Sequence, residues 1–120
     1  MPEINMRGVK VDDIITISKA LVDDLVKATG SPREWFRIEV FSTTCISDGK
    51  IVPARCMVEV EWVMRTKDKQ DAVADVISEH LNKAGYDPVD VKFTVLDRKY
   101  YYSNGFNDYR TDKPSTHPPV

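Results

Sequence analysis

The chemistry this sequence can offer starts at Pro2, directly behind Met1 and ahead of a strand-like run, Glu3-Ile4-Asn5-Met6-Arg7. Methionine before a small second residue is commonly removed. Pro2 would then carry a secondary amine with no rotatable side chain, so the strand behind it would also aim it. Such an amine can take up and return a proton, which is general acid–base chemistry. Glu59 and Glu61 are a second candidate, because two-residue spacing sets both carboxylates on one face of a strand. Paired carboxylates can do acid–base work, yet ion pairing with Arg7, Arg37 or Lys92 is the simpler reading. Cys45 and Cys56 read as free structural thiols. Neither stands at a zinc-like spacing from His80 or His117, so no metal site is expected, and no cofactor. His80 reads as a satisfied helix residue. Trp35 and Trp62 are expected in the core or at an interface. Tyr100, Tyr101, Tyr102 and Phe106 could stack nucleobases, but no basic surround supports that, and an inter-subunit clasp fits better.

The elements that must hold these residues follow from periodicity. Ile4 and Met6 alternate against Glu3, Asn5 and Arg7, which predicts a half-buried strand over 4–8. Asp12 and Asp13 are placed to cap a helix whose apolar face is Val11, Ile14, Ile15, Leu21, Val22, Leu25 and Val26. Gly30 supplies a left-handed stop, and Pro32 prevents resumption. A strand over 35–41 follows, with Phe36, Ile38 and Val40 on one face. Asp48-Gly49 is a turn dipeptide, and Ile51-Val52 a short hairpin arm ended by Pro53. Residues 57–64 form a third strand, with Val58, Val60, Trp62 and Met64 on its core face. A second helix begins near Asp68, buries Val73, Val76, Ile77, Leu81 and Ala84, and stops at Gly85. A last strand spans 89–96.

The order is therefore strand–helix–strand, twice. A constant offset pairs Asp13 with Asp68, Leu21 with Val76, Gly30 with Gly85 and Ile38 with Phe93. This is the pattern of a duplicated βαβ unit. The fold class is α+β, an α/β sandwich with two helices on one face of a four-stranded sheet. Two topologies satisfy it: two parallel pairs joined antiparallel, or an interleaved ferredoxin-like sheet. Either leaves one sheet face carrying Trp35, Phe41, Met57, Val63 and Leu96 among charges, and that face is expected to drive self-association. The domain spans 1–106, and 107–120 is a polar, proline-containing tail expected to be flexible.

A chain of 120 residues with a net charge of −2 is one domain without the basic excess that nucleic acid requires. It has no apolar run of membrane-spanning length and no signal-peptide pattern, so a cytoplasmic protein is expected.

Met1-Pro2 opening a strand, the duplicated βαβ unit and the segment Gly30-Ser31-Pro32-Arg33-Glu34-Trp35-Phe36-Arg37-Ile38-Glu39-Val40 resemble the tautomerase superfamily of 4-oxalocrotonate tautomerase and macrophage migration inhibitory factor. With Met57-Val58-Glu59-Val60-Glu61-Trp62 and Tyr100-Tyr101-Tyr102-Ser103-Asn104-Gly105, residues 1–106 look most like a small bacterial branch of unknown function. The resemblance implies a homotrimer and Pro2 as general base or acid in keto–enol isomerisation of a small 2-keto or enol acid. It implies Arg37, five residues past Pro32, as the cation for a substrate carboxylate, with Arg33 as second choice. Apart from the resemblance, Tyr101 with Tyr100, Tyr102 and Phe106 could also wall the Pro2 pocket. The match is incomplete. Val9, Lys10 and Val11 stand where the oxalocrotonate enzyme has an arginine. Lys92 and Thr94 stand where the macrophage factor has a tyrosine and an asparagine, and Ser31 where it has a lysine. Two alternatives remain: a non-enzymatic homotrimer of this fold, and a ferredoxin-like binding module.

Overall fold

The computed structural model describes residues 2–112. Met1, His117 and the tail from residue 113 on lie outside the described residues. So do the removal of Met1 and most of the expected flexibility of the tail.

Among the described residues the strands and α-helices follow in order: β1 (Glu3–Arg7), α1 (Val11–Thr29), β2 (Arg37–Phe41), β3 (Cys45–Ser47), β4 (Lys50–Val52), β5 (Cys56–Val63), α2 (Lys67–Lys83) and β6 (Val89–Leu96). The main sheet runs β2-β1-β5-β6. β1 is parallel to β2, β5 is parallel to β6, and β1 meets β5 antiparallel. This is two βαβ units joined through their first strands, and it rules out the interleaved ferredoxin-like order. Each parallel pair needs a crossover, and the helix of each unit supplies it.

Alternation decides what each strand buries. Ile4 and Met6 of β1 and Cys56, Val58, Val60 and Trp62 of β5 point into one core with Ile14, Leu21 and Leu25 of α1 and Val73, Ile77 and Leu81 of α2. The helix stripe is narrower than the apolar sequence. Val11 and Ile15 are exposed, because Ile15 is turned about 100° from Ile14 on the helix wheel. Met64 is exposed as well, since it lies beyond the end of β5. α1 ends as its sequence requires: Gly30 adopts φ 73° and donates its N–H to Val26 O at 2.8 Å. Its start differs from expectation. Lys10 is the N-cap and makes no side-chain cap bond; Asp12 and Asp13 occupy the first turn, where their charge favours the helix dipole.

β2 begins two residues later than its alternation suggests. Arg33–Trp35 form a 3-10 turn, held against α1 by Arg33, which pairs with Asp23 and donates to Lys19 O at 3.2 Å. β3 and β4 pair as a separate antiparallel hairpin. Asp48 and Gly49 turn it with φ of 49° and 74°, the double left-handed geometry that a tight two-residue hairpin turn needs.

Candidate functional site

Pro2 stands at the head of β1, and its ring is less than 2 % exposed. It shares the helix-facing side with Ile4 and Met6. The β1–β5 register pairs Glu3 with Glu61; one further step in the same register sets Pro2 beside Trp62. The Trp62 ring packs on Phe93 with centroids 5.0 Å apart, and the Arg65 guanidinium lies over it at 5.7 Å. Arg65 was not singled out from sequence. Its only signal is its position just past the strand that carries Trp62, and that becomes meaningful once β5 is known to run antiparallel to β1.

Arg37 reaches the same end of the sheet but the opposite face. It pairs with Glu3 in the β1–β2 register and is exposed. Pro2 and Arg37 of one chain are thus close along the sheet and separated by its thickness. Glu3 and Glu61 share the open face with Arg37. The Glu61 carboxyl is raised above its ordinary pKa, by burial first and then by the charges of Glu59 and Glu3. Glu59 behaves oppositely. It accepts from Thr94 Oγ1 at 2.7 Å and from Asn5 Nδ2 at 3.5 Å, and the Thr94 bond chiefly lowers its pKa. The two carboxylates therefore differ in role, and Glu59 is tied into the sheet by hydrogen bonds rather than by an ion pair.

The remaining candidates sit elsewhere. The guanidinium of Arg33 is engaged with α1, as described above. Tyr101 lies in the segment after β6, half-buried, and its carbonyl accepts from Asn107 Nδ2 at 2.7 Å. Asn107 organises that whole segment: it also donates to Arg98 O and Lys99 O, both at 3.1 Å, and accepts from Tyr109 N at 2.8 Å. The side chain is 3 % exposed, so residue 107 belongs to the folded part and not to a loose tail. His80 is satisfied, as expected, with Nε2 2.7 Å from Asp24 Oδ2 across the α1–α2 seam. Cys45 and Cys56 are free thiols. Among the described residues no group of three or more His, Cys, Asp or Glu is placed to hold a metal, and no helix is long and apolar enough to cross a membrane.

What the arrangement offers is one buried, strand-mounted proline at one end of the sheet, with an aromatic surface and a guanidinium on its own side. A second guanidinium and two carboxylates stand on the other.

A family match and solved structures place the chain. The family of a domain of unknown function, DUF1904, matches residues 1–107. A crystal structure of a DUF1904 domain from Sebaldella termitidis is 30 % identical, covering 88 % of this chain and 97 % of that one, with a TM-score of 0.81. A protein of unknown function from Vibrio cholerae is 26 % identical over 87 % of this chain and 84 % of that one, with a TM-score of 0.76. A fused 4-OT, solved as an asymmetric trimer, is 19 % identical over 88 % of this chain and 95 % of that one, with a TM-score of 0.74. Among curated proteins no match to the sequence is found. The four-stranded mixed sheet with its two helices is thus the tautomerase-superfamily fold.

Proposed function

We propose, for a chain that belongs to the DUF1904 family and has the tautomerase-superfamily fold, that it is a homotrimeric isomerase whose Pro2 amine moves a proton between carbon and oxygen of a small enol or 2-keto acid. The observation that carries this reading is Pro2 itself, a buried proline at the head of β1 beside the Trp62 surface. Once Met1 is removed, a Pro2 amine held in that apolar setting would be disfavoured as an ammonium and so be available as a base. Arg65, over Trp62, adds positive charge that acts in the same direction.

Association of three copies explains the rest. The open sheet face carries Phe41, 47 % exposed, with Met57, Val63 and Leu96 half-buried, and a trimer would cover it. Arg37, exposed on that face, would then reach the proline of a neighbouring copy rather than its own. There it would hold a substrate carboxylate and the developing enolate. Tyr101 and Arg33 are weaker members of such a site, since Arg33 is already engaged with α1.

One observation favours a second reading, a trimer of this fold without isomerase activity. Glu3 and Glu61 face each other at the Pro2 end. Their charge would hold an amine protonated and repel a carboxylate substrate. The deciding experiment uses protein whose loss of Met1 is verified by intact mass. Ketonisation of an enol pyruvate is then followed for the wild type and for Pro2→Ala. A rate that collapses in Pro2→Ala supports the isomerase; equal rates remove Pro2 from the chemistry and leave the non-enzymatic trimer.

A further inference from the structure

The open face of the sheet is a grid whose rows are set by strand register. One row holds Arg37, Glu3, Glu61 and Thr94, taken across β2, β1, β5 and β6. The next row toward Arg7 holds Glu39, Asn5, Glu59 and Lys92. On the other side of Glu61 the face turns apolar, where Val63 pairs with Leu96. Glu61 is therefore bounded by Glu3 and Thr94 across the strands, and by Glu59 and Val63 along its own.

The nearby cations of the described residues serve other partners. Lys92 and Arg7 act on Glu59, and Arg37 is separated from Glu61 by the strand that carries Glu3. Beyond the strand ends Arg98 pairs with Asp108, Lys99 with Asp97 and Arg55 with Asp90. Arg65 lies over Trp62, on the helix-facing side. Thr94 gives its hydroxyl proton to Glu59 Oε2 at 2.7 Å, so it offers Glu61 no donor. The charges that do act on Glu61 are two carboxylates, Glu59 and Glu3. Glu61 is half-buried in the single chain, and it stands on the face that three copies would cover. Covering it removes the remaining water from a carboxylate with no cation beside it, which favours the neutral acid.

We propose, resting on the trimeric reading above, that Glu61 is a proton switch for assembly: it takes up a proton when copies associate, so the trimer tightens as pH falls. Exposed Arg37 meets the proline of a neighbouring copy only in the trimer, so the same proton controls whether the site is complete. Assembly is tightest where Glu61 is protonated in both the free and the assembled chain. It weakens as pH rises from the free-chain value, which lies above 4.5, to the higher assembled one. Within that window the change approaches about tenfold per protomer for each pH unit.

The test is sedimentation equilibrium of the full, Met1-free chain at constant ionic strength, from about pH 5 to about pH 8. The wild-type association constant should fall by about tenfold or more per protomer across that span. Glu61→Gln keeps the shape of the neutral acid, so its trimer should be tighter than the wild type near the upper limit and nearly flat with pH. Glu39→Gln, exposed on the same face, should keep the wild-type slope. Circular dichroism verifies that both variants fold, and the wild-type slope is a test that needs neither. A wild-type trimer indifferent to pH overturns the proposal, and so does a slope that Glu61→Gln leaves intact. A weaker Glu61→Gln trimer overturns it as well, because a neighbouring copy would then be bringing a cation to Glu61. A chain that is monomeric at every pH, with or without Glu61→Gln, overturns the trimeric reading along with the switch. The enol-pyruvate assay on Pro2→Ala decides separately whether Pro2 moves a proton.

Discussion

Where β1 starts, Glu3 and Glu61 face each other across the strands and crowd the open face with negative charge, with Arg37 across from Glu3 in the register. Where β1 stops, the charge of Arg7 acts on Glu59 and Arg55 is tied to Asp90. Each end is the start of one βαβ unit set beside the finish of the other. What differs is covalent. The first unit starts at a chain terminus and can present an amine. The second unit starts inside the chain, where the nitrogen of Cys56 is an amide and has no basicity to offer. Duplication therefore supplies two similar strand ends and allows proton transfer by a terminal amine at only one.

The sharpest way to break this comparison is Pro2→Ala in Met1-free protein. General acid–base groups contribute at least about a hundredfold to rate. The enol-pyruvate assay should lose that factor, while Arg7→Gln should change it little. If Arg7→Gln removes the activity and Pro2→Ala does not, the chemistry belongs to the other end.

Gly8 gives the next largest effect, on stability. Gly8→Ala must place a Cβ 2.0 Å from the Arg55 carbonyl at φ 73°, so about 3 kcal/mol or more should be lost in denaturant unfolding. Gly30→Ala is the matched control. It has the same φ of 73° but no atom within 4 Å of its Cβ, and should cost only about 1–2 kcal/mol of left-handed strain. Equal losses would mean that backbone contact at the basic end is not what holds Arg7 beside Arg55.

Much of the fold was legible in the sequence because its signals are local. Gly30 and the Asp48-Gly49 turn do their work within a few residues, and β6 occupies the 89–96 span that alternation assigns. The repeat identified the two units, but it could not say whether they interleave; only the strand pairing does. The failures have one physical source. The first residues of β2 became a 3-10 turn because Arg33 is drawn to Asp23 on α1, a contact between distant positions. The cap of α1 falls on Lys10, whose backbone N–H donates to the Tyr86 hydroxyl while that hydroxyl donates to Asp13, again a contact between distant positions. Of the site, Pro2 was legible as a residue type at the head of a strand. Arg65 and the Arg7–Arg55 junction were not, since both depend on the antiparallel register of β1 with β5.

The smallest effects separate the two kinds of carboxylate by the sign of their pH dependence. Glu61 has a raised pKa in the fold. Its contribution is fully present below the unfolded value near 4.5 and is lost as pH rises through the folded value. Glu61→Gln should therefore stabilise the protein near pH 7 by about half a kcal/mol, the size of a relieved like-charge pair on a sheet. It should also flatten the stability curve just above pH 4.5. Asp24 is lowered, chiefly by its bond to His80. Its contribution is present above the ordinary value of 3.8 and is lost as pH falls through the folded one. Asp24→Asn should remove a loss below that pH and leave the Glu61 slope intact. Thermal unfolding of the two variants from about pH 3 to about pH 7 reads both slopes and the Glu61→Gln effect near neutrality. If Glu61→Gln is neutral or destabilising near pH 7, the Pro2 end is not crowded with negative charge. The electrostatic objection to carboxylate binding there then falls, and the isomerase reading gains what the contrast between the two ends loses.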